Sequence, residues 1–164
     1  MRLFTKMMVL SVLLTLAACS SKFRSYNGPE VTRIVIYKAE RRMMLLHADD
    51  VLTEHKIDLG FAPNGAKQFE GDGRTPEGRY FIDRRNPDSS FHLSIGISYP
   101  NAEDIAAARA AGKPPGGDIF IHGQAKPLQR RGTDWTAGCI SVSNREIEKI
   151  YAMVKNGTVI EIYP

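Results

Sequence analysis

The sequence predicts a mainly β fold of the α+β class, with a β-sandwich or mixed-sheet core and two short helices. Short apolar stretches rich in β-branched residues recur along the chain, and turn-forming residues separate them. Helical features are confined to two places, residues 101–111 and 144–154. A length of 164 residues fits one domain, and neither an internal repeat nor a linker divides the chain.

The first half of the chain consists mainly of predicted strands. Alternating apolar residues predict a strand over 31–37 and its hairpin partner over 42–47, followed by a weaker strand over 51–59. A long glycine-rich loop over 60–78 comes next, and loops of this length in compact domains are usually functional or disordered. Two further strands are predicted at 78–83 and 91–99.

The second half combines the two helices with shorter strands. Asn101 is a candidate N-cap of the first helix, which Gly112 and the prolines after it end. Ser143 and Glu146 form a capping box at the start of the second helix. A second long polar loop covers 123–135. The strands of this half are predicted at 118–122, 139–142 and 158–163.

The first 18 residues are predicted to be a lipoprotein signal peptide. Arg2 and Lys6 precede an apolar run over 7–18, a pattern that is typical of secretory signals. The run is well under the roughly 20 residues that a membrane-spanning helix needs. The alternative, a buried N-terminal helix, is less favoured because no capping residue delimits the segment and its apolar residues would surround the whole helix.

The end of this run, Leu16-Ala17-Ala18-Cys19, resembles a bacterial lipobox. The resemblance implies that Cys19 is acylated and becomes the mature N-terminus, so that lipid chains anchor the protein to a membrane. Ser20 at the next position implies an outer-membrane address in a Gram-negative host. Residues 19–30 then form the lipidated N-terminus and a polar tether, and residues 31–164 form the folded domain.

The charge and the cysteine content exclude several classes of protein. The formal charge of +4 falls to +2 once Arg2 and Lys6 leave with the signal peptide, and no basic stripe with interleaved aromatics remains, so we expect no nucleic-acid partner. Two cysteines exclude a disulfide-dense scaffold and a four-cysteine zinc site. With Cys19 acylated, Cys139 has no internal partner and is either a reactive thiol or the site of an intermolecular disulfide.

His122 and Cys139 are the residues that suggest chemistry. His122 ends a predicted strand, and Cys139 follows 17 residues later, after a polar loop. Cysteine attacks as the thiolate, and a nearby imidazole both lowers the pKa of the thiol and takes its proton. Gly138 and the turn before Cys139 could present backbone N–H groups to a developing oxyanion. The position of His122 at a strand end suits a base that a carbonyl holds through the second ring nitrogen.

Two motifs around this pair resemble the L,D-transpeptidase catalytic domain family, which are bacterial cysteine enzymes of peptidoglycan. They are Ile121-His122-Gly123 and Thr136-Ala137-Gly138-Cys139-Ile140. The segment 70–78 is similar to the Thr-Pro-x-Gly turn of the same family. The resemblance extends from about residue 31 to residue 163, and it identifies the folded domain at 31–164 as an L,D-transpeptidase-like catalytic domain.

The resemblance implies a role for each residue of the pair and for its neighbours. Cys139 is the nucleophile, His122 is the base that activates it, and the carbonyl of Gly123 orients the imidazole. The N–H groups of Gly138 and Cys139 are the oxyanion donors. The reaction is acyl transfer on a peptidoglycan stem peptide through a thioester, typically at the L-centre of diaminopimelate, with no cofactor or metal. The family also implies roles in cell wall biogenesis and cell shape, on the periplasmic side of the envelope.

Two positions depart from the family pattern. Ala137 stands where the family has a second histidine, and Ser141 stands where it has an arginine. These changes and the segment 91–117 resemble a subgroup whose members hydrolyse the link between peptidoglycan and an outer-membrane lipoprotein. An amidase of the same class is therefore an alternative to a transferase, with nearly equal weight. A non-catalytic peptidoglycan-binding lipoprotein is a third, less favoured hypothesis.

Four residues near the pair are candidates for substrate contacts: Arg130, Arg131, Trp135 and Thr136. Arg130 and Arg131 either form a solvated loop pair or bind substrate carboxylates, which guanidinium groups hold through two hydrogen bonds. Trp135, the single tryptophan, either lines the substrate groove or fills the core.

The remaining polar candidates have simpler interpretations. His92 is expected to be packed and hydrogen-bonded, whereas His47 and His55 are expected at the surface. A zinc site that combines His92 with the His–Cys pair is not expected, because no short ligand spacing supports it. Asp72 and Glu77 are expected to order the glycine-rich loop, with Asp72 as a third catalytic group the minor alternative.

Overall fold

A computed structural model describes residues 21–125 and 132–164. The predicted signal peptide, the lipidation site Cys19 and the candidate substrate contacts Arg130 and Arg131 lie outside these residues. In the described part of the chain, no helix has both the length and the apolar character that crossing a lipid bilayer requires.

The mainly β fold with two short helices is confirmed, and its core is a mixed sheet. Every predicted strand and helix is present, although several strands are shorter than predicted. Asn101 caps the first helix as expected, because its side chain accepts hydrogen bonds from two N–H groups of the first turn. In chain order the elements are β1 (Arg33–Tyr37), β2 (Arg42–His47), β3 (Asp50–Lys56), β4 (Gly78–Asn86), β5 (Ser94–Ile97), α1 (Ala102–Ala110), β6 (Phe120–His122), β7 (Ile140–Ser141), α2 (Asn144–Met153) and β8 (Val159–Tyr163).

The strands of the described residues form one sheet in the order β3-β2-β1-β8-β4-β5-β6-β7. The pairs β1–β8 and β6–β7 are parallel, and the other pairs are antiparallel. β4 joins the two halves of the sheet, since its first residues pair with β8 and its last residues pair with β5. β6 and β7 therefore lie at the opposite edge of the sheet from the hairpin β2–β3.

β3 ends at Lys56 rather than at residue 59, and the reason bears on the site. The residues after β3 leave the hairpin and bridge to the far edge of the sheet, where Asp58 pairs with Ser141 and Gly60 pairs with Thr136. These bridges attach the start of the glycine-rich loop to the segment that carries Cys139.

α2 packs one stripe of side chains against the sheet. Its buried residues are Ile147, Ile150 and Met153, which recur at a spacing of three residues and so share one face of the helix. The predicted capping box is present, because Glu146 N–H donates to Ser143 Oγ (3.3 Å) and Ser143 N–H donates to Glu146 Oε2 (2.9 Å). The helix start is thus fixed a few residues after Cys139.

A buried lysine orders the glycine-rich loop. Lys38 follows β1, is 2% exposed, and donates three hydrogen bonds from its ammonium group. Nζ lies 2.6 Å from the carbonyl oxygen of Gly65, 3.1 Å from that of Thr75 and 2.7 Å from Oε1 of Glu77. A buried ammonium group is tolerated only when its donors are paired, so the lysine and the loop hold each other in place. The predicted ordering role of Glu77 is confirmed.

A second buried ion pair lies inside the same loop. Asp72 accepts hydrogen bonds from the ammonium group of Lys67 (2.9 Å) and from the N–H groups of Gln68 (2.7 Å) and Arg74 (3.0 Å). Burial alone would raise the pKa of Asp72, but these hydrogen bonds hold the pKa below its usual range. Asp72 therefore orders the loop as predicted, and these contacts lie within the loop rather than at the His–Cys pair.

Residues 21–30, predicted as a polar tether, lie against the domain. Lys22 donates hydrogen bonds to two carbonyl groups of the loop 87–92. Arg24 donates through Nε and Nη2 to Oε2 of Glu148 in α2, at 2.9 and 2.7 Å. The segment is thus attached both to α2 and to the loop between β4 and β5.

Replacing Lys38 by alanine should destabilise the domain by about 2–4 kcal/mol, because the Glu77 carboxylate and two carbonyl groups lose their partner. Urea unfolding followed by circular dichroism measures the change. Lys155→Ala is the matched control, since the ion pair of Lys155 with Glu30 is exposed and its loss should leave the unfolding midpoint almost unchanged. Equal midpoints for the two variants would contradict the role of Lys38.

Candidate active site

The strands β6 and β7 bring His122 and Cys139 to one cleft. β6 pairs in parallel with β7, with His122 opposite Ser141, and Cys139 directly precedes β7. Both side chains of the pair line a cleft of about 290 Å³. The other lining residues come from the end of β4, the loop after it, β5, the segment before β6, and β6: Asn86, Ser89, Ser90, Phe91, Ser94, Asp118 and Phe120.

The imidazole of His122 is buried and held by a backbone carbonyl. His122 is 4% exposed, and its Nδ1 lies 2.7 Å from the carbonyl oxygen of Gly123. A carbonyl oxygen only accepts hydrogen bonds, so Nδ1 carries the hydrogen and the lone pair of the neutral ring is on Nε2. This is the tautomer that a general base needs.

Gly123 is a glycine because of close packing. A Cβ added at Gly123 would lie 2.5 Å from Oδ1 of Asn144 and 2.9 Å from Cγ2 of Ile147, both in α2. Side-chain carbon atoms do not approach other heavy atoms this closely, so a larger residue would push α2 away from the strand. The helix therefore fixes the position of the carbonyl that orients His122.

Two aromatic side chains pack against the imidazole. The ring centroid of Phe91 lies 4.5 Å from that of His122, at an interplanar angle of 32°. Trp135 meets the imidazole edge-on, with a centroid distance of 5.6 Å, and it also contacts Phe91 at 5.8 Å. Trp135 thus packs beside His122 and is not part of the main core cluster, nor is it among the residues that line the cleft.

The thiol of Cys139 is in a setting that favours the neutral form. Burial raises the pKa of Cys139, and the negative charge of Asp118 adds to the rise, whereas a hydrogen bond from the N–H of Phe120 opposes it. Sγ lies 3.5 Å from the carbonyl oxygen of Asp118, a residue held at a positive φ of 54°. The thiol therefore keeps its proton at neutral pH unless a base removes it.

Thr136 organises the turn before the cysteine. Its hydroxyl donates to the carbonyl oxygen of Cys139 (2.6 Å) and accepts from the N–H of Gly138 (3.2 Å). Its backbone pairs on both sides with the start of the glycine-rich loop, at Leu59 and Phe61. Thr136 is 4% exposed, and its hydroxyl, predicted as a candidate substrate contact, is hydrogen-bonded within the turn. The N–H of Gly138 is hydrogen-bonded there as well.

An ion pair between Arg41 and Asp134, which the sequence did not predict, holds the same turn. Arg41 contacts the carboxylate of Asp134 through Nε (2.9 Å to Oδ1) and Nη2 (2.7 Å to Oδ2), and the N–H of Leu59 donates to Oδ1 (3.0 Å). Burial would raise the pKa of Asp134, but these partners keep the pKa low. Because Asp134 precedes Trp135, this pair anchors the aromatic residue beside His122.

The other predicted histidines occupy three different environments. His92 is partly buried, and its Nε2 lies 2.9 Å from Oε1 of Glu148, which agrees with the packed, hydrogen-bonded role. His47 is exposed, as predicted. The prediction of a surface position for His55 is wrong, because His55 is 5% exposed, with Nδ1 3.5 Å from Oε1 of Glu146. Burial lowers the pKa of His55, although Glu146 opposes the shift.

Metal binding has no support in the described residues. Within 21–125 and 132–164, no group of three or more histidine, cysteine, aspartate or glutamate side chains is arranged to hold a metal ion.

The fold and this His–Cys cleft define the class of protein. The family model of the L,D-transpeptidase catalytic domain (YkuD) matches residues 31–162. The chain belongs to the L,D-transpeptidase catalytic domain family. The resemblance inferred from the motifs around His122 and Cys139 is confirmed.

Relatives in other organisms agree with this assignment. The chain is similar to the “Putative L,D-transpeptidase YafK” of Escherichia coli (strain K12), with 31% identity over 144 residues, covering 80% of this chain and 53% of YafK. It is also similar to the structure of the helical cell shape determining protein Pgp2 from Campylobacter jejuni, with 25% identity and a TM-score of 0.64, covering 93% of this chain and 54% of that one. The chain thus spans about half the length of the curated relatives it matches. L,D-transpeptidase 1 of Mycobacterium tuberculosis, at 14% identity and a TM-score of 0.53 over 82% of this chain and 62% of that one, shares the fold.

Replacing His122 by alanine should slow alkylation of Cys139 by iodoacetamide at least about tenfold at pH 7. The reason is that burial raises the pKa of the thiol, so without the base the thiolate forms only on the alkaline side and the rate should recover as the pH rises. The pH profile is measured in a Cys19→Ser background, where Cys139 is the sole thiol. His47→Ala, at an exposed position, is the control; a profile for His122→Ala that matches it would contradict the role of the base.

Proposed function

We propose that this chain is a cysteine acyltransferase that acts on peptidoglycan stem peptides through a thioester on Cys139. The observation that carries the proposal is the cleft that Cys139 and His122 share, with Nδ1 of His122 bound to the Gly123 carbonyl, which puts the lone pair of the neutral ring on Nε2. Membership of the L,D-transpeptidase family supports a cell-wall peptide as the substrate.

The reaction begins when Nε2 of His122 takes the thiol proton of Cys139. The sulfur attacks the carbonyl carbon of the stem peptide, so that a C–S bond forms and the carbonyl becomes an oxyanion. When the oxyanion collapses, the C–N bond breaks and the imidazolium gives its proton to the departing amine. A second amine or water then attacks the thioester carbonyl carbon and loses a proton to His122, so that a C–N or C–O bond forms. The C–S bond breaks, and the imidazolium returns its proton to the departing sulfur of Cys139.

The oxyanion needs backbone N–H donors, and the two proposed donors, the N–H groups of Gly138 and Cys139, differ in their hydrogen bonding in this structure. The N–H of Gly138 donates to Oγ1 of Thr136, so its use requires that this hydrogen bond be released. The N–H of Cys139 is the donor that we assign first. Gly138 is held at a φ of +128°, and a Cβ there would lie 2.7 Å from the carbonyl oxygen of Arg74, so the turn needs glycine even apart from its donor.

Hydrolysis of the same thioester is the second candidate, and two side chains favour it. Ala137 is exposed and brings no imidazole to the turn. Ser141 is 1% exposed, and its hydroxyl has no hydrogen-bond partner among the described residues. Neither side chain supplies a charge that would hold a second stem peptide, and a weakly held amine acceptor leaves the thioester to water. Under this alternative the substrate is the link between peptidoglycan and an outer-membrane lipoprotein.

We also propose a location and a set of substrate contacts. Acylation of Cys19 would place the domain on the periplasmic side of the outer membrane, where peptidoglycan and murein-linked lipoproteins meet. Trp135 packs against His122 behind the residues that line the cleft, and we propose that it borders the substrate groove. Arg130 and Arg131 are proposed to bind substrate carboxylates.

A carbapenem, a reagent that acylates many members of this family, should add one molecule to the protein. Cys139→Ala should abolish the adduct, and Cys19→Ser should keep it, because Cys139 lines the cleft. Intact-mass spectrometry detects the change. An adduct that survives in Cys139→Ala, or its absence from the wild type, would contradict the assigned nucleophile and favour the non-catalytic, peptidoglycan-binding hypothesis.

Murein sacculi separate transfer from hydrolysis. Incubation with the purified protein, muramidase digestion and mass spectrometry of the fragments should show new cross-links or newly attached lipoprotein if an amine resolves the thioester, and this is the expected result. Released lipoprotein would identify the amidase instead. Cys139→Ala should give neither product. Sacculi left unchanged by a protein that a carbapenem acylates would rule out murein as the substrate.

A further inference from the structure

We infer that Lys22 is a positioning residue for the catalytic base, although it lies in the N-terminal segment outside the family domain. The inference rests on the proposed function, since it gives Lys22 a part in the proton transfer by His122. The connection runs through the loop 87–92, whose middle residues form one wall of the cleft.

Lys22 closes this loop. Its Nζ lies 2.6 Å from the carbonyl oxygen of Pro87, at one end of the loop, and 3.2 Å from that of His92, at the other end. One ammonium group thus bridges both ends of the segment. Hydrogen bonds from a charged donor are shorter and stronger than neutral ones, so this bridge restrains the wall of the cleft more than a hydroxyl or amide would.

The side chain of His92 gives the loop a second attachment to the same N-terminal segment. Nε2 of His92 lies 2.9 Å from Oε1 of Glu148, and Oε2 of that carboxylate accepts two hydrogen bonds from Arg24. His92 has a φ of +74°, which a residue with a side chain adopts only when its surroundings hold it there. The N-terminal segment therefore holds the loop directly through Lys22 and indirectly through Arg24.

Phe91 transmits this restraint to the base. Its carbonyl oxygen accepts a hydrogen bond from the N–H of Gly123 (3.1 Å), and its ring lies 4.5 Å from the imidazole of His122. The carbonyl of Gly123 in turn orients the imidazole at 2.7 Å. A displacement of the loop would move both contacts that hold the ring. Proton transfer is sensitive to misplacement of the base by about 1 Å, so the N-terminal segment contributes to the reactivity of the thiol.

The test uses the full chain with Cys19→Ser, in which Cys139 is the sole thiol. Lys22→Ala removes the ammonium group, and Lys22→Arg keeps a cation that can donate to both carbonyls. Lys155→Ala is the matched control, because Lys155 holds the other end of the same segment through Glu30 at 3.2 Å. The readouts are the pH profile of iodoacetamide alkylation, the rate of carbapenem acylation and the melting temperature.

Lys22→Ala should lower both rates about tenfold near pH 7 and move the alkylation profile to higher pH, toward that of His122→Ala. Its melting temperature should fall no further than that of Lys155→Ala, which should keep wild-type rates. Lys22→Arg should restore most of the rate. Wild-type rates in Lys22→Ala, or an equal loss of rate in Lys155→Ala, would overturn the inference. Should Lys22→Ala melt far below the wild type, Lys22→Gln, which retains one donor group, replaces it under the same criteria.

The two chemical readouts separate a failure of this inference from a failure of the proposed function. Iodoacetamide reports on the thiol and its base without a substrate, so a shifted profile in Lys22→Ala supports the positioning role even where a carbapenem forms no adduct. Acylation of the wild type and Lys22→Ala at equal rates overturns the role of Lys22 and leaves the proposed function standing.

Discussion

The hydrogen bond between Nδ1 of His122 and the carbonyl oxygen of Gly123 is the interaction on which the rest of the site depends. It sets the tautomer of the imidazole and so decides which nitrogen can take a proton. Burial raises the pKa of the Cys139 thiol, so in the proposed reaction this nitrogen has to take the thiol proton. Asn144 and Ile147 of α2 pack so tightly on Gly123 that the carbonyl has little room to turn. The helix packs against β5 and β6, and it thereby holds the carbonyl that orients the imidazole.

Buried charges, in addition to apolar packing, determine the shape of the loops around the cleft. Lys38 and the Lys67–Asp72 pair order the glycine-rich loop, and the half-buried Arg41–Asp134 pair holds the turn before Cys139. Each charge is costly to bury, and the cost is offset only when its hydrogen bonds are complete. A loop held this way has one favourable arrangement rather than many. Such loops suit a site in which a small displacement of the imidazole changes the rate.

Local patterns made most of the fold predictable, and the motifs around His122 and Cys139 singled out two residues that line one cleft, whereas the long-range contacts were not predictable. Alternation and capping residues locate the strands and helices, but β3 stops early because Asp58 bridges to Ser141 across the sheet. The prediction of a surface position for His55 failed because strand periodicity carries no information on what covers each face of the sheet. Arg41 and Asp134 lie 93 residues apart, and nothing in either neighbourhood signals the pair. The contact of Phe91 with the imidazole is of the same kind.

Because residues 21–30 are bound to the domain, they limit the distance between the proposed lipid anchor at Cys19 and the cleft. As a free extended chain, residues 21–30 would span about 33–36 Å. Because these residues are bound to α2 and to the loop 87–92, they do not lengthen the distance between Cys19 and the domain. Lys22, which is bound to that loop, follows Cys19 by only three residues, and these span about 11 Å at full extension. With Cys19 acylated as proposed, the short connection would hold the cleft close to the membrane and allow it little movement toward the rest of the cell wall. The cleft would then reach only the layer of the cell wall that adjoins the membrane.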